Sequence, residues 1–173
     1  MSISATEIAT SGPVAHRSLP PAERREYVVR WTCEALLLAA LYYGSAKLGY
    51  ELRFSGAVAA IVWLPVGVGI AYLCLRGLSF WPGVLLGDLL ANNYTQLPVG
   101  SALAQTVGNV LEVVLAAYLL RRATARSGYL LARLDGLAIL LLSLAAATMV
   151  SATIGSLANL AGGVISADSF PTV

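Results

Sequence analysis

Two sets of side chains in this sequence have the types and spacing to do chemistry. Asp88 and Asn92 are four residues apart, and Gln105, Asn109 and Glu112 fall at i, i+4 and i+7, all within otherwise apolar runs. On helices these spacings put each set on one face. A charged side chain at membrane depth costs about 2.5–3.5 kcal/mol, whereas an interhelical hydrogen bond there returns about 0.6 kcal/mol on average. Bonding between helices alone therefore weighs evenly against a polar cavity that binds or senses something. A carboxylate in low dielectric gains by taking a proton or a cation. A proton, or a small cationic or amine-bearing ligand, is the natural guest of such a cavity.

The rest of the chemical inventory is sparse. The sole histidine, His16, lies in a polar tail, and Cys33 and Cys74 form neither a C-x-x-C pair nor part of a zinc set. No Ser/Cys–His pairing falls within the apolar runs, which leaves an Asp88/Glu112 acid pair as the one conceivable catalytic arrangement. The expectation is a protein that is not an enzyme, with no cofactor and no metal. Trp63 and Pro65 open a third feature, Trp63-Leu64-Pro65-Val66-Gly67-Val68-Gly69. A proline inside a helix removes one backbone bond and clashes with the preceding turn. Freed carbonyls are tolerated in lipid only against protein or a water-filled cavity, so a kink aimed at the polar stripes is expected. An architectural kink is the plainer alternative.

The elements that carry these residues are set by composition. The chain is 58% hydrophobic and 12% charged over 173 residues, with a mean hydropathy of +0.76. An ordinary soluble domain is about a quarter charged. A net charge of +2 with no basic stripe gives no reason to expect nucleic acid as a partner. Apolar segments run over 31–50, 57–75, 80–96, 101–120 and 137–165, near the roughly 20 residues that a helix needs to cross a bilayer. The fold class expected is all-α, a polytopic transmembrane bundle of about five spans with short, antiparallel connections. Segment 80–96 is short and polar for a span, and 137–165 has room to break near Gly162 and Gly163.

Charge gives the orientation. Arg17, Arg24, Arg25 and Arg30 precede the first segment, Arg76 follows the second, and Arg121, Arg122, Arg126 and Arg133 follow the fourth. With a cytoplasmic N-terminus all of these face the cytoplasm, leaving Lys47 and Arg53 outside. Residues 1–30 read as a disordered cytoplasmic tail and juxtamembrane turn, with a helix-start signal at Pro20 and Pro21. Residues 31–173 read as the membrane domain. Gly83, Gly87 and Ala91, and likewise Ala147, Ser151, Gly155 and Asn159, form small-residue ladders that let helices approach closely. Counting back from the turn near Pro98 at 1.5 Å per residue puts Asp88 level with Asn109 and Asn92 level with Gln105, with Glu112 about one turn deeper. Glu34 and Lys47 sit near the ends of the first segment, close enough to snorkel, and are assigned no site.

Three runs of residues carry a resemblance. Trp63-Leu64-Pro65-Val66-Gly67, the stretch 76–88 with Trp81-Pro82-Gly83 and Gly87-Asp88, and Gly108-Asn109-Val110-Leu111-Glu112 with Arg121-Arg122 resemble the first family of bacterial membrane-associated sensor domains, over about residues 35–165. The positions carried over are Trp63, Pro65, Gly67, Trp81, Pro82, Gly87, Asn109 and Glu112. The resemblance implies an N-terminal sensor ahead of a cytoplasmic output domain, in cis or in trans: a histidine kinase of a two-component system, a GGDEF cyclase or phosphodiesterase of cyclic-di-GMP signalling, or similar. It also implies further spans after Val173, so that this chain would be incomplete at its C-terminal end, and a homodimer where the output is a kinase or cyclase. The function expected is thus a multi-pass sensory input module in the bacterial inner membrane. Trp63, Pro65, Asp88, Asn92, Gln105, Asn109 and Glu112 would form its sensing site. The alternative is a small-molecule transporter or substrate-capture membrane subunit, since broken helices with midplane acids suit that role too.

Overall fold

The structure, a computed structural model, describes residues 20–51, 64–92, 98–127 and 134–164. Trp63, Arg17, Arg53 and Arg133 lie outside the described residues, as do most of the expected tail and the end of the chain. Five α-helices account for almost all of the described chain: α1 (Pro21–Glu51), α2 (Leu64–Arg76), α3 (Trp81–Ala91), α4 (Val99–Ser127) and α5 (Leu134–Ala161). A 3-10 turn, Leu78–Phe80, links α2 to α3. No strand occurs among the described residues, and the described fold is all-α, as expected from the sequence.

Local chemistry accounts for the ends. Pro20 accepts a hydrogen bond from the Arg24 backbone N–H, and Pro21 and Glu23 occupy the first turn of α1, where a fixed φ and a negative charge both favour a helix start. Residues 21–30, expected to be a juxtamembrane turn, are therefore continuous with the helix of the first apolar segment. Gly77, at φ 119°, lets the chain leave α2 and fold directly into the 3-10 turn. Pro82 then sits at the start of α3. At the far end, Gly163 adopts φ 69°, its N–H bonds the Leu160 carbonyl at 3.1 Å, and the Val164 N–H bonds that of Asn159 at 2.8 Å. This pairing closes a helix with a left-handed glycine, and it ends α5 where the glycine pair predicts a break. Pro65 is buried in the first described turn of α2. The expected kink thus falls at the border of the described residues.

Successive helices reverse direction. Glu34 near the start of α1 meets Arg76 at the end of α2, whereas Gly83 and Gly87 of α3 lie against Ala35 and Ala39 of α1, so α1 and α3 are parallel. Asp88 meets Asn109, and Asn92 meets Thr106, which makes α4 antiparallel to α3. Ser101 bonds Ala158, and Thr148 bonds Glu112, which makes α5 antiparallel to α4. Arg24, Arg25 and Arg30 at the start of α1, Arg76 at the end of α2, and Arg121 and Arg122 near the end of α4 therefore gather at one end of the bundle.

The core is small and helical. Leu38 and Tyr42 of α1, Leu73 of α2, Val84 of α3, and Val113, Ala116 and Ala117 of α4 are fully buried. The glycines of α3 allow the closest approach: a Cβ on Gly87 would stand 2.7 Å from the Tyr42 Cβ and 2.8 Å from the Ala39 carbonyl oxygen. The outer face is equally apolar. Leu37, Leu41, Leu90, Leu103, Val107, Leu141, Leu142, Met149 and Leu157 are all exposed, a surface matched to hydrocarbon better than to water. Among the described helices, α4 over Val99–Ala125 and α5 over Gly136–Ala161 are long and apolar enough to cross a membrane. The described part of α2 and the whole of α3 are shorter. At 11 residues α3 extends about 16 Å, half of a ~30 Å hydrocarbon core.

Candidate functional site

The polar residues of α3 and α4 come together through direct hydrogen bonds. Asp88, 2% exposed, accepts at Oδ1 from the Asn109 Nδ2 at 2.9 Å and from the Tyr42 hydroxyl at 3.1 Å. Asn109 in turn accepts at its Oδ1 from the Ser151 hydroxyl at 3.3 Å. Tyr42, Asp88, Asn109 and Ser151 thus form one chain of hydrogen bonds through α1, α3, α4 and α5. The depth matching of Asp88 with Asn109 holds.

Asn92 extends the cluster toward the turn. It caps α3 in an extended conformation at φ −63°, ψ 141°. Its Nδ2 donates to the Thr106 Oγ1 at 2.6 Å, with longer approaches to the Ala102 carbonyl at 3.4 Å and Asp88 Oδ2 at 3.5 Å. Thr106, 1% exposed, occupies the place expected of Gln105. Gln105 itself is half-buried and lies along α5, its Cγ 3.9 Å from where a Gly155 side chain would begin.

Glu112 also turns away from α3. It is 9% exposed, and its Oε1 accepts from the Thr148 hydroxyl at 2.6 Å. The α4 stripe therefore serves two neighbours, with Asn109 at the junction. Gly108 permits this: its absent side chain would meet the Ser151 carbonyl at 3.3 Å.

Four partners were missed from the sequence: Tyr42, Thr106, Thr148 and Ser151. Tyr42 is one tyrosine in an apolar run, Ser151 enters the sequence reading only as a small residue of the α5 ladder, and Thr106 and Thr148 do not enter it. A buried tyrosine hydroxyl normally finds a partner, and that is the signal that could have found the first. The pairing of Glu34 with Arg76 was missed as well. The Arg76 Nε donates to Glu34 Oε2 at 3.1 Å and its Nη2 to Oε1, while Arg30 Nε reaches the same carboxylate at 3.4 Å. The hydrogen bond to Glu34, joined by its negative charge, raises the Arg76 pKa beyond its already high value, so this guanidinium stays charged. Glu34 is thus tied into an ion pair rather than reaching for water. Nearby, Arg121 Nη1 donates to the carbonyls of Cys74 at 2.7 Å and Leu73 at 3.3 Å, satisfying the open end of α2.

No group of three or more His, Cys, Asp or Glu side chains able to hold a metal occurs among the described residues. The described cluster provides one buried carboxylate with three donors at Asp88, and a second carboxylate with one hydroxyl donor at Glu112. These bonds tie α1, α3, α4 and α5 to one another through side chains. In comparisons with known proteins, the MASE1 family model matches residues 34–172. No curated protein and no solved structure matches the chain.

Proposed function

The chain belongs to the MASE1 family of membrane-associated sensor domains, and from that premise we propose that it is a multi-pass sensory input module whose signal passes through the Tyr42–Asp88–Asn109–Ser151 chain. Members of the family are sensory rather than catalytic, and are generally parts of signalling proteins with cytoplasmic output domains. The observation that carries the reading is that one buried carboxylate bonds side chains from two other helices, one of which continues the chain to a fourth. A stimulus that favours one arrangement of these bonds over another shifts the packing of α1, α3, α4 and α5 together. It can do so only through its differential affinity for the two packings. The bundle lies in the inner membrane with about five spans, of which the 11-residue α3 reaches only part of the way across, and a cytoplasmic N-terminus. The gathering of arginines at the end where α1 begins supports this orientation.

The test uses the full-length signalling protein. Asn109→Leu, Glu112→Gln and the milder Tyr42→Phe and Ser151→Ala are introduced singly, and output is measured with expression held equal. Shifted basal output or lost stimulus response in the Asn109 and Ser151 variants is the expected result. Unchanged signalling in all four overturns the assignment.

A further inference from the structure

At the arginine-rich end of the bundle a pocket of about 360 Å³ is lined by Tyr27, Arg30, Trp31, Glu34, Arg76 and Phe80, with Leu75 and Ser79 at its edge. It shares no residue with the buried network, and it stands apart from it at the opening turns of α1. Its volume is in the range of small-molecule sites.

The wall carries two guanidiniums against one carboxylate, a net charge of +1. The Arg30 side chain is 78% exposed and that of Arg76 47%, while Glu34 between them is 15% exposed. Both cations therefore present charge to the opening while the carboxylate is drawn inward. Ser79 adds a hydroxyl. Aromatic rings pack against one another behind the charged side chains: the Trp31 ring lies 6.0 Å from that of Phe80 at 18°, and Tyr72 meets Phe80 edge-on at 6.0 Å. Beside the charged wall stand Leu75, 82% exposed, and Tyr27, 60% exposed. A cationic, hydroxyl-bearing wall suits a phosphate, and an exposed leucine and tyrosine next to it suit an acyl chain more than water. The pocket also sits where the apolar belt gives way to arginines, the level at which lipid headgroups lie.

We propose that this pocket binds the phosphate headgroup of an anionic lipid, with Arg30 and Arg76 on the phosphate and the chain running along Leu75. Bound there, the lipid bridges the start of α1 to the bend between α2 and α3. Glu34 limits the affinity by neutralising part of the wall.

The full chain in detergent micelles is titrated with short-chain phosphatidylglycerol, short-chain phosphatidylcholine and inorganic phosphate, with binding read by calorimetry. Phosphatidylglycerol binds saturably and more tightly than either of the others. Arg30→Gln weakens it about fivefold, and Glu34→Gln strengthens it by a similar factor. The opposite signs separate a charge effect from loss of fold. Equal binding of the two lipids, or no response to either substitution, overturns the proposal. Inorganic phosphate binding as tightly as phosphatidylglycerol also overturns it, by assigning the pocket to a soluble anion.

Discussion

The Tyr42 hydroxyl lies 3.1 Å from Oδ1 of Asp88 and donates to it, joining two parallel helices at a level where the carboxylate is almost sealed from outside. The geometry separates two kinds of substitution. Tyr42→Phe removes one donor and leaves Asp88 with Asn109 and Asn92, so it costs about 0.6 kcal/mol, the average for such bonds in membranes. Asp88→Ala takes away at once the acceptor shared by the Tyr42 hydroxyl and the Asn109 amide and costs more, about 1–3 kcal/mol. Unfolding of each variant in mixed micelles ranks them, and equal losses would contradict the network as described.

The α1–α3 seam predicts a steep penalty for a single methyl group. Gly87→Ala and Gly83→Ala each place a Cβ against the backbone of α1, at 2.8 Å from the Ala39 oxygen and 2.5 Å from the Ala35 oxygen respectively. Backbone cannot step aside as a flexible side chain can, so each lowers stability by about 1–3 kcal/mol. Gly44→Ala, in a helix interior with open space around it, is neutral or stabilising. Thermal melts of the three variants in one detergent make the comparison.

The α3–α4 interface was legible in the sequence in depth but not in rotation, and the α1–α3 seam only as a ladder of small residues without a named neighbour. Depth follows from the fixed rise of a helix, so Asp88 could be levelled with Asn109 by counting from Pro98. Rotation about the helix axis does not follow from counting. For that reason Thr106 rather than Gln105 meets Asn92, and Glu112 faces Thr148 of α5. Helix ends were readable where glycine or proline dictates backbone, as at Gly163 and Pro21. Interhelical pairs such as Glu34 with Arg76 depend on which helices become neighbours, which local pattern does not encode.

Glu112 and Thr148 offer a second, independent cycle. Thr148→Val leaves a buried carboxyl without its hydroxyl donor, bonded at 2.6 Å in the native protein. Replacing both, as Glu112→Leu with Thr148→Val, removes donor and acceptor together and is milder than the sum of the single changes, by about 1 kcal/mol. Additive losses in a denaturation series would show that the two side chains do not interact.

Threading is open to a chemical test. In a background of Cys33→Ser and Cys74→Ser, Lys47→Cys and Arg122→Cys place single thiols at exposed positions near opposite ends of the bundle. A membrane-impermeant maleimide added to whole cells labels the first and spares the second. The reverse pattern would invert the orientation.

The parallel seating of α1 on α3 also bears on how the protein is made. Tyr42 leaves the ribosome well before Asp88, 46 residues later in the chain, and the glycine groove that receives its ring arrives with the same late helix. The earliest helix therefore enters the bilayer before its seat exists, and cannot settle by pairing with its immediate successor alone. The contacts of α1 are complete only once α3 has emerged beside it, so a change that removes the groove of Gly83 and Gly87 unseats α1 even though its own residues are intact.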